Sequence, residues 1–274
     1  LIIIDSYNIN YDYEKRLKNE TDIEILVLDD NYEKHYCDIL LNHNIYAQKE
    51  KYKNLVPINC EIRCGSEYTL LRDEFLNVKS SKNDNKSKTF FIAMGGSDPT
   101  NLNLKILKIL EKFAQDNNIK VNVVTTQSNQ NIEELKLFSK DKSWISLHVN
   151  CDFMAELITI SDYGIITASG TANEVSYLEL PFIAIKVTQN QDHMYEYLLK
   201  NKYLVMDEFD EKEFEKILRD NFLYKCELIN FINLEQEEKE MILEWRNDSS
   251  IRKWMYNKDI ISLESHLAYI EFLK

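Results

Sequence analysis

Glycine and proline are nearly missing: the 274 residues hold five glycines and three prolines. Glycines this rare are placed where the backbone tolerates nothing larger. Long hydrophobic runs are missing too. No stretch approaches the roughly 20 apolar residues of a membrane helix. No secretory leader pattern stands at the start, so the chain reads as cytoplasmic, with no membrane partner. Positive charge is in deficit, with 33 Lys and Arg against 46 Asp and Glu. A net charge of −13 argues against nucleic acid as a partner. Over half of that excess sits in 206–244, where 13 acids face 5 bases, and it reads as a solvated acidic surface and junction. The cysteines are few and odd in number: Cys37, Cys60, Cys64, Cys151 and Cys226. That usage points to free thiols in a reducing compartment. Cys60 and Cys64 have metal-pair spacing, but no second Cys or His pair completes four ligands, so no metal is expected.

What is present is an apolar share of 44%, enough for real cores, arranged in a rhythm. In 1–78, short strands at 1–5, 23–29 and 39–41 alternate with a short helix over 11–19. Residues 79–88 hold only Ser, Lys, Asn and Asp and read as a linker or exposed loop. From 89 the pattern is regular. Strands at 89–94, 121–126, 145–148, 163–167 and 182–187 are followed by helices at 101–116, 131–139, 152–161, 172–179 and 192–201. This predicts an α/β fold, a parallel sheet covered on both faces, with ligands at the carboxyl ends of its strands. After about 229 the rhythm breaks. An amphipathic helical stretch runs over 234–255, interrupted at 247–250, and another helix starts at 262. The tail is expected to be a different unit. A strand already under way at Leu1 and a helical pattern still running at Lys274 read as the ends of a piece.

Two adjacent glycines carry the most information. Gly95, Gly96 and Ser97 follow a strand, and Asp98 and Pro99 read as the N-cap and first residue of the next helix. Strand, glycine turn and capped helix point backbone N–H groups at a phosphate. The alternative is a plain tight turn. After strand 163–167 stand Ser169, Gly170, Thr171, Asn173 and Glu174, again strand, small-residue turn, helix. Glu174 is expected in the first helical turn, facing the crevice, where a carboxylate accepts bonds from a ribose diol. The alternative is a capping box of Ser169 or Thr171 with Glu174. After strand 182–187, Thr188, Gln189, Asn190 and Gln191 suit the hydroxyl and amide groups of a sugar. His193 is weighed as a base, with a structural role favoured. Tyr7 ends the first strand and would face across a cleft if 1–78 form a second lobe. Arg72, between the lobes, touches phosphate or pairs with an acid.

These segments, together with 38–44 and 65–72, occur in one order that resembles the family of UDP-2,4-diacetamido-2,4,6-trideoxy-β-L-altropyranose hydrolase, a nucleotide-sugar hydrolase of pseudaminic acid biosynthesis. The resemblance covers roughly 1–226. It implies a GT-B-like fold with an incomplete N-terminal Rossmann-like lobe and linker (1–87) and a complete C-terminal UDP-binding lobe (88–228). It implies phosphates at Gly95, Gly96 and Ser97, and phosphate and ribose at Ser169, Gly170, Asn173 and Glu174. Asn190 would approach the sugar, and Tyr7 would lie across the cleft. The implied reaction is cofactor-free and metal-independent: water attacks the anomeric carbon with inversion and UDP leaves. The family's general base is a histidine in a glycine-rich loop near the start, and His35, His43, His148, His193 and His266 all lack that setting. The fragment is therefore expected to bind UDP weakly and to hydrolyse nothing at a useful rate.

The tail, 229–274, with Trp245, Arg246, Ile251, Trp254 and Met255, resembles the start of an α+β GNAT-type acetyltransferase. A complete one would use acetyl-CoA, and a pathway neighbour would make sense as a fusion partner. Its tryptophans would line a sugar pocket or, alternatively, form a helix core. Two other functional classes stay open: a GT-B glycosyltransferase using a UDP-sugar donor, and a non-catalytic UDP-sugar-binding fragment.

Overall fold

In the computed structural model, which describes residues 1–79, 87–114, 117–223 and 230–273, Phe90 to Ala93 are all buried and alternate between two cores. Phe90 and Ile92 point into one, Phe91 and Ala93 into the other. This is the period-two geometry of a strand covered on both faces. The strand is β5 (Lys88–Ala93), and its sheet is parallel throughout. Its partners are β6 (Ile119–Thr125), β7 (Ile145–Val149), β8 (Tyr163–Thr167), β9 (Phe182–Ile185) and β10 (Leu204–Met206), in the order β10-β9-β8-β5-β6-β7. The first core is closed by α3 (Leu102–Ala114), Leu135 of α4 (Ile132–Ser139), and Phe214 and Leu218 of α8 (Glu211–Leu218). The second is closed by α5 (Met154–Thr159), α6 (Gly170–Tyr177) and α7 (Asp192–Lys200).

A second parallel sheet has the order β1-β2-β3-β4, from β1 (Ile2–Ile4), β2 (Ile25–Leu28), β3 (Ile39–Asn42) and β4 (Glu61–Cys64). Helix α1 (Tyr11–Thr21) connects β1 to β2. The small core here holds Ile4, Ile25, Val27, Leu40 and Tyr52. Tyr46 and Phe75, the latter from α2 (Asp73–Asn77), pack into the second core of the larger sheet. The α/β class with two Rossmann-like sheets is therefore what the chain forms.

Several elements, α2 among them, are absent from the sequence reading. β4 is absent from it because Glu61 and Arg63 interrupt the apolar signal on an edge strand, where they pair with each other at 2.7 Å. β10 is only three residues long. α8 is hidden in the acidic run: Phe214 and Leu218, four apart, are buried, while Glu211, Glu213 and Glu215 keep its other face charged.

The chain divides into two compact units, Leu1–Leu223 and Tyr224–Lys274. The second holds α9 (Gln236–Asn247), α10 (Ser249–Arg252) and α11 (Leu263–Phe272), with no strand among its described residues. A capping box of Glu235 and Glu238 starts α9. Asn247 exchanges two hydrogen bonds with the backbone of Ile261, at 2.8 and 2.9 Å. Leu243, His266 and Ile270 are its buried residues. Trp245 and Trp254 are exposed, so they are not the helix core that their spacing allowed. The linker expected at 79–88 lies largely outside the described residues, as does Cys226.

Candidate functional site

β9, β8 and β5 are neighbours, so the turns that leave their carboxyl ends share one edge. That edge brings together Gly95, Gly96, Ser97, Ser169, Gly170 and Asn190. The two adjacent glycines are required for different reasons. Gly95 has φ of +77°, which side chains disfavour. A Cβ on Gly96 would stand 3.1 Å from the side chain of Thr126, whose hydroxyl donates to the Gly96 carbonyl at 2.9 Å. The N–H groups of Gly95, Gly96 and Ser97 meet no acceptor among the described residues.

The helix behind this turn departs from expectation. α3 begins at Leu102, three residues beyond Pro99. Asp98 is buried at φ +35°, and its carboxylate accepts from Leu102 N at 2.8 Å, Asn103 N at 3.0 Å and Asn103 Nδ2 at 2.8 Å. An internal carboxylate therefore occupies the positive end of α3 and satisfies its orphan donors. The donors left for an external anion are those of the glycine turn, not of the helix.

α6 begins at Gly170, two residues earlier than expected, so Glu174 is its fifth residue and lies past the first turn. The Ser169 hydroxyl pairs with Thr167 Oγ1 at 2.7 Å and caps nothing, so the capping-box alternative does not form. Glu174 holds Arg72 instead, with Oε1 3.3 Å from Nη2, while Arg72 Nη1 reaches Glu74 Oε1 at 2.6 Å. Burial pushes the Glu174 carboxyl up, and the Arg72 charge offsets part of that. Asn173 is placed differently from the open position expected of it. It is 3% exposed, its Oδ1 accepts from Ile45 N at 3.1 Å, and its Nδ2 donates to Asn44 Oδ1 at 3.1 Å. Its amide joins the two sheets. His193 does the same by packing: its ring lies 5.0 Å from Tyr32 and 5.8 Å from Tyr46. Asn190 is exposed and accepts from the Thr188 hydroxyl.

Ile45, Tyr46 and Tyr32 leave the carboxyl ends of β3 and β2, so these contacts make the carboxyl edges of the two sheets meet. On the smaller sheet's edge, Tyr7 donates to Asp30 Oδ2 at 2.8 Å. That bond, some burial and the nearby carboxylates push the phenol up to about 12. Tyr7 lines a cleft of about 100 Å³ with Asp5, Asp29, Asp30, His35 and His43.

The sequence reading missed the buried network behind this cleft. His35 Nδ1 lies 2.8 Å from Glu14 Oε1, and Nε2 lies 3.6 Å from Asp29 Oδ1. Burial alone would lower the imidazole, but the carboxylates of Asp29 and Glu14 beside it outweigh that and lift it to about 9. His35 is thus an imidazolium at neutral pH. From Asp29 the network continues through Tyr52 (2.5 Å) and Asn42 (2.9 Å) to Asn44 (3.2 Å), and so to Asn173. Its one sequence signal is polar residues at the ends of parallel strands, Asp29 after β2 and Asn42 and Asn44 at β3.

A scan of the chain against protein-family models finds no match. The chain is 40% identical over 205 residues to the UDP-2,4-diacetamido-2,4,6-trideoxy-beta-L-altropyranose hydrolase of Campylobacter jejuni subsp. jejuni serotype O:2, which covers 75% of this chain and 73% of that protein. It is 28% identical to the uncharacterized protein MJ1062 of Methanocaldococcus jannaschii. That alignment of 304 residues covers 98% of this chain and 62% of that protein, so it takes in the tail as well. Among solved structures, the Methanocaldococcus jannaschii UDP-GlcNAc 2-epimerase in complex with UDP-GlcNAc and UDP is 12% identical. It has a TM-score of 0.49 and covers 85% of this chain and 79% of that one.

Proposed function

The chain belongs to the family of the UDP-2,4-diacetamido-2,4,6-trideoxy-beta-L-altropyranose hydrolase, and we propose that its facing carboxyl edges hold a UDP-sugar for hydrolysis at the anomeric carbon. The observation that carries this is the row of unpartnered N–H groups at Gly95, Gly96 and Ser97 beside the Ser169–Gly170 turn. Backbone donors fixed on a strand end suit a diphosphate, and they gain strength as charge builds on the leaving group. Water adds to the anomeric carbon from the opposite face, the bond to the diphosphate oxygen breaks, and UDP departs with its electron pair while one proton passes to solvent. Glu174 accepts from the ribose diol, and Arg72 keeps it ionised for that task. Asn190 offers its amide to the sugar. Tyr7 and Asp30 close the other side, with Tyr7 a hydrogen-bond donor throughout the neutral range.

A base is not assigned to these histidines. His35 is already protonated, and His193 is packed between tyrosines. His43 is held down by burial, yet its buried Nδ1 has no partner among the described residues to orient the ring. UDP binding is therefore the property proposed for these residues, and turnover needs a base that the five histidines do not supply. The tail is proposed to be the start of a GNAT-type acetyltransferase on its sequence resemblance alone; its separate compact unit supports only that it is a distinct domain.

Calorimetric titration of the whole chain with UDP tests the binding. Saturable binding at one site, lost to a competing UDP-sugar, is expected. A folded sample that takes up no UDP at millimolar concentration sinks the reading.

A further inference from the structure

The opposite, amino edge of the smaller sheet carries its own chemistry. Cys37 precedes β3 and Cys60 precedes β4, and these are adjacent parallel strands with Ile39 opposite Glu61. The two sulfurs stand 3.6 Å apart. Cys37 is buried, whereas Cys60 is half-buried. Both line an open cleft of about 190 Å³ together with Lys18, Tyr36, Asp38 and Pro57. The Lys18 ammonium lies in that cleft, 2.9 Å from Asp38. Among the described residues, neither Cys64 nor Cys151 has a sulfur neighbour.

We propose that Cys60 and Cys37 form a dithiol modification site that reacts with a low-molecular-weight disulfide, with Cys60 as the attacking sulfur and Cys37 as the resolving one. The Cys60 thiolate attacks one sulfur of the small disulfide, whose S–S bond breaks and releases one small thiolate. Cys37, losing its proton to solvent, then attacks Cys60 Sγ. The Cys37–Cys60 disulfide forms and the second small thiolate leaves. The protein dithiol is oxidised by two electrons and the small disulfide is reduced by two. The division of roles follows from access, since Cys60 is half-buried and Cys37 is buried. It is reinforced electrostatically. The contact with the Cys37 sulfur and a backbone hydrogen bond at Leu40 hold Cys60 below its ordinary value despite burial. The same contact and burial push Cys37 up. Closing the pair to a bond of about 2 Å needs a movement of roughly 1.5 Å, within reach of side-chain rotation. The strands already hold the two sulfurs adjacent, so the resolving step outpaces a second encounter with solution disulfide.

The test uses the reduced, full chain exposed to glutathione disulfide, quenched in acid, alkylated and mapped by peptide mass spectrometry. The Cys37–Cys60 crosslink is expected as the dominant product, with little glutathione left on Cys60. Cys37→Ser should trap glutathione on Cys60, and Cys60→Ser should leave Cys37 unmodified. Timed iodoacetamide labelling of the native wild-type chain needs no variant, and Cys60 should label at least about tenfold faster than Cys37. Persistent Cys60–glutathione beside a reduced Cys37, or Cys64 or Cys151 reacting as fast as Cys60, overturns the assignment. None of these readouts depends on UDP.

Discussion

The carboxyl edge of the four-stranded sheet is lined by Asp5, Asp29, Asp30 and Glu33, with His35 and His43 among them. The matching edge of the six-stranded sheet ends in Gly95, Gly96, Ser97, Ser169 and Gly170. Among the described residues the N–H groups of Gly95, Gly96 and Ser97 meet no acceptor, while the Ser169 N–H and hydroxyl are taken by Thr167. On the first edge one imidazolium, His35, sits between two carboxylates, Glu14 and Asp29, so the edge stays net negative, and Asp29 takes further bonds from Tyr52 and the backbone of Asn31 and Tyr32. The second edge leaves donors unpaired. An anion is therefore repelled by one side of the cleft and received by the other. On the proposed reading, a diphosphate would lie on the six-stranded side, which would leave the neutral sugar for the carboxylate side.

The strongest way to break this contrast is Glu14→Ala. It removes the partner 2.8 Å from His35 and leaves Tyr36 N–H without its 2.6 Å acceptor, both at a buried residue. Breaking such a buried pair costs on the order of 3–5 kcal/mol. Urea unfolding followed by circular dichroism should show the loss. UDP affinity of the protein that remains folded should change little. A matching collapse of UDP binding would mean that the two edges are one site and not two.

A pH series probes the same network more gently. His35 stands at about 9 when folded, against an ordinary 6.5. Its folded value is raised, so its contribution is complete below pH 6.5 and is lost as pH climbs through 9. A shift of this size corresponds to roughly 3 kcal/mol. The urea midpoint should fall between pH 7 and pH 10, and His35→Gln should flatten that slope. An unchanged slope in the variant would remove His35 from the network.

How much of this was legible in the sequence depends on the range of the interaction. β5, α3, β8 and α6 follow from local periodicity, and the first sheet edge with its glycine turn followed with them. The Gly95–Gly96 pair was readable because scarcity makes a glycine informative. The buried Glu14–His35–Asp29 cluster was not, since its members come from α1 and the loop between β2 and β3, separated by 21 residues or fewer, with no spacing rule to link them. Asp98 does cap α3 as its sequence position suggests, through Leu102 N and Asn103 N, but that this cap closes the helix start to an outside anion was not legible, for a similar reason. A capping aspartate and an anion-binding helix start share one sequence pattern, and only the path of the chain from Asp98 to Leu102 separates them. Asn173 shows the limit most directly. Its partners, Asn44 and Ile45, lie 129 and 128 residues away.

The two small-residue turns can be compared with each other. Gly95→Ala forces a side chain into φ +77°, costing about 1 kcal/mol or more of stability. If the turn presents its N–H groups to phosphate, UDP affinity should drop by roughly tenfold, or about 1.4 kcal/mol. Gly170→Ala meets nothing within 4 Å and sits at the start of α6, so its affinity should stay within about twofold of wild type, since alanine is a good helix former. Equal losses at both positions would assign the phosphate contact to the Ser169–Gly170 turn as much as to Gly95.

The smallest expected effect decides the role of Arg72. Its side chain is half exposed, and its pair with Glu174 spans 3.3 Å, so Arg72→Ala should cost at most about 1 kcal/mol of stability. Its influence on UDP should instead run through Glu174. Burial already pushes that carboxyl up, and Arg72 is what opposes it. Without the guanidinium the carboxyl rises further and spends more time protonated as pH falls, when it can no longer accept two bonds from a diol. Calorimetry at pH 8 should therefore show UDP affinity within about threefold of wild type, a difference of under 1 kcal/mol. At pH 6 the variant should weaken more than the wild type. If affinity instead falls by tenfold or more at both pH values, the guanidinium touches the phosphates itself. The six-stranded edge would then hold its anion with a side-chain charge as well as with backbone donors.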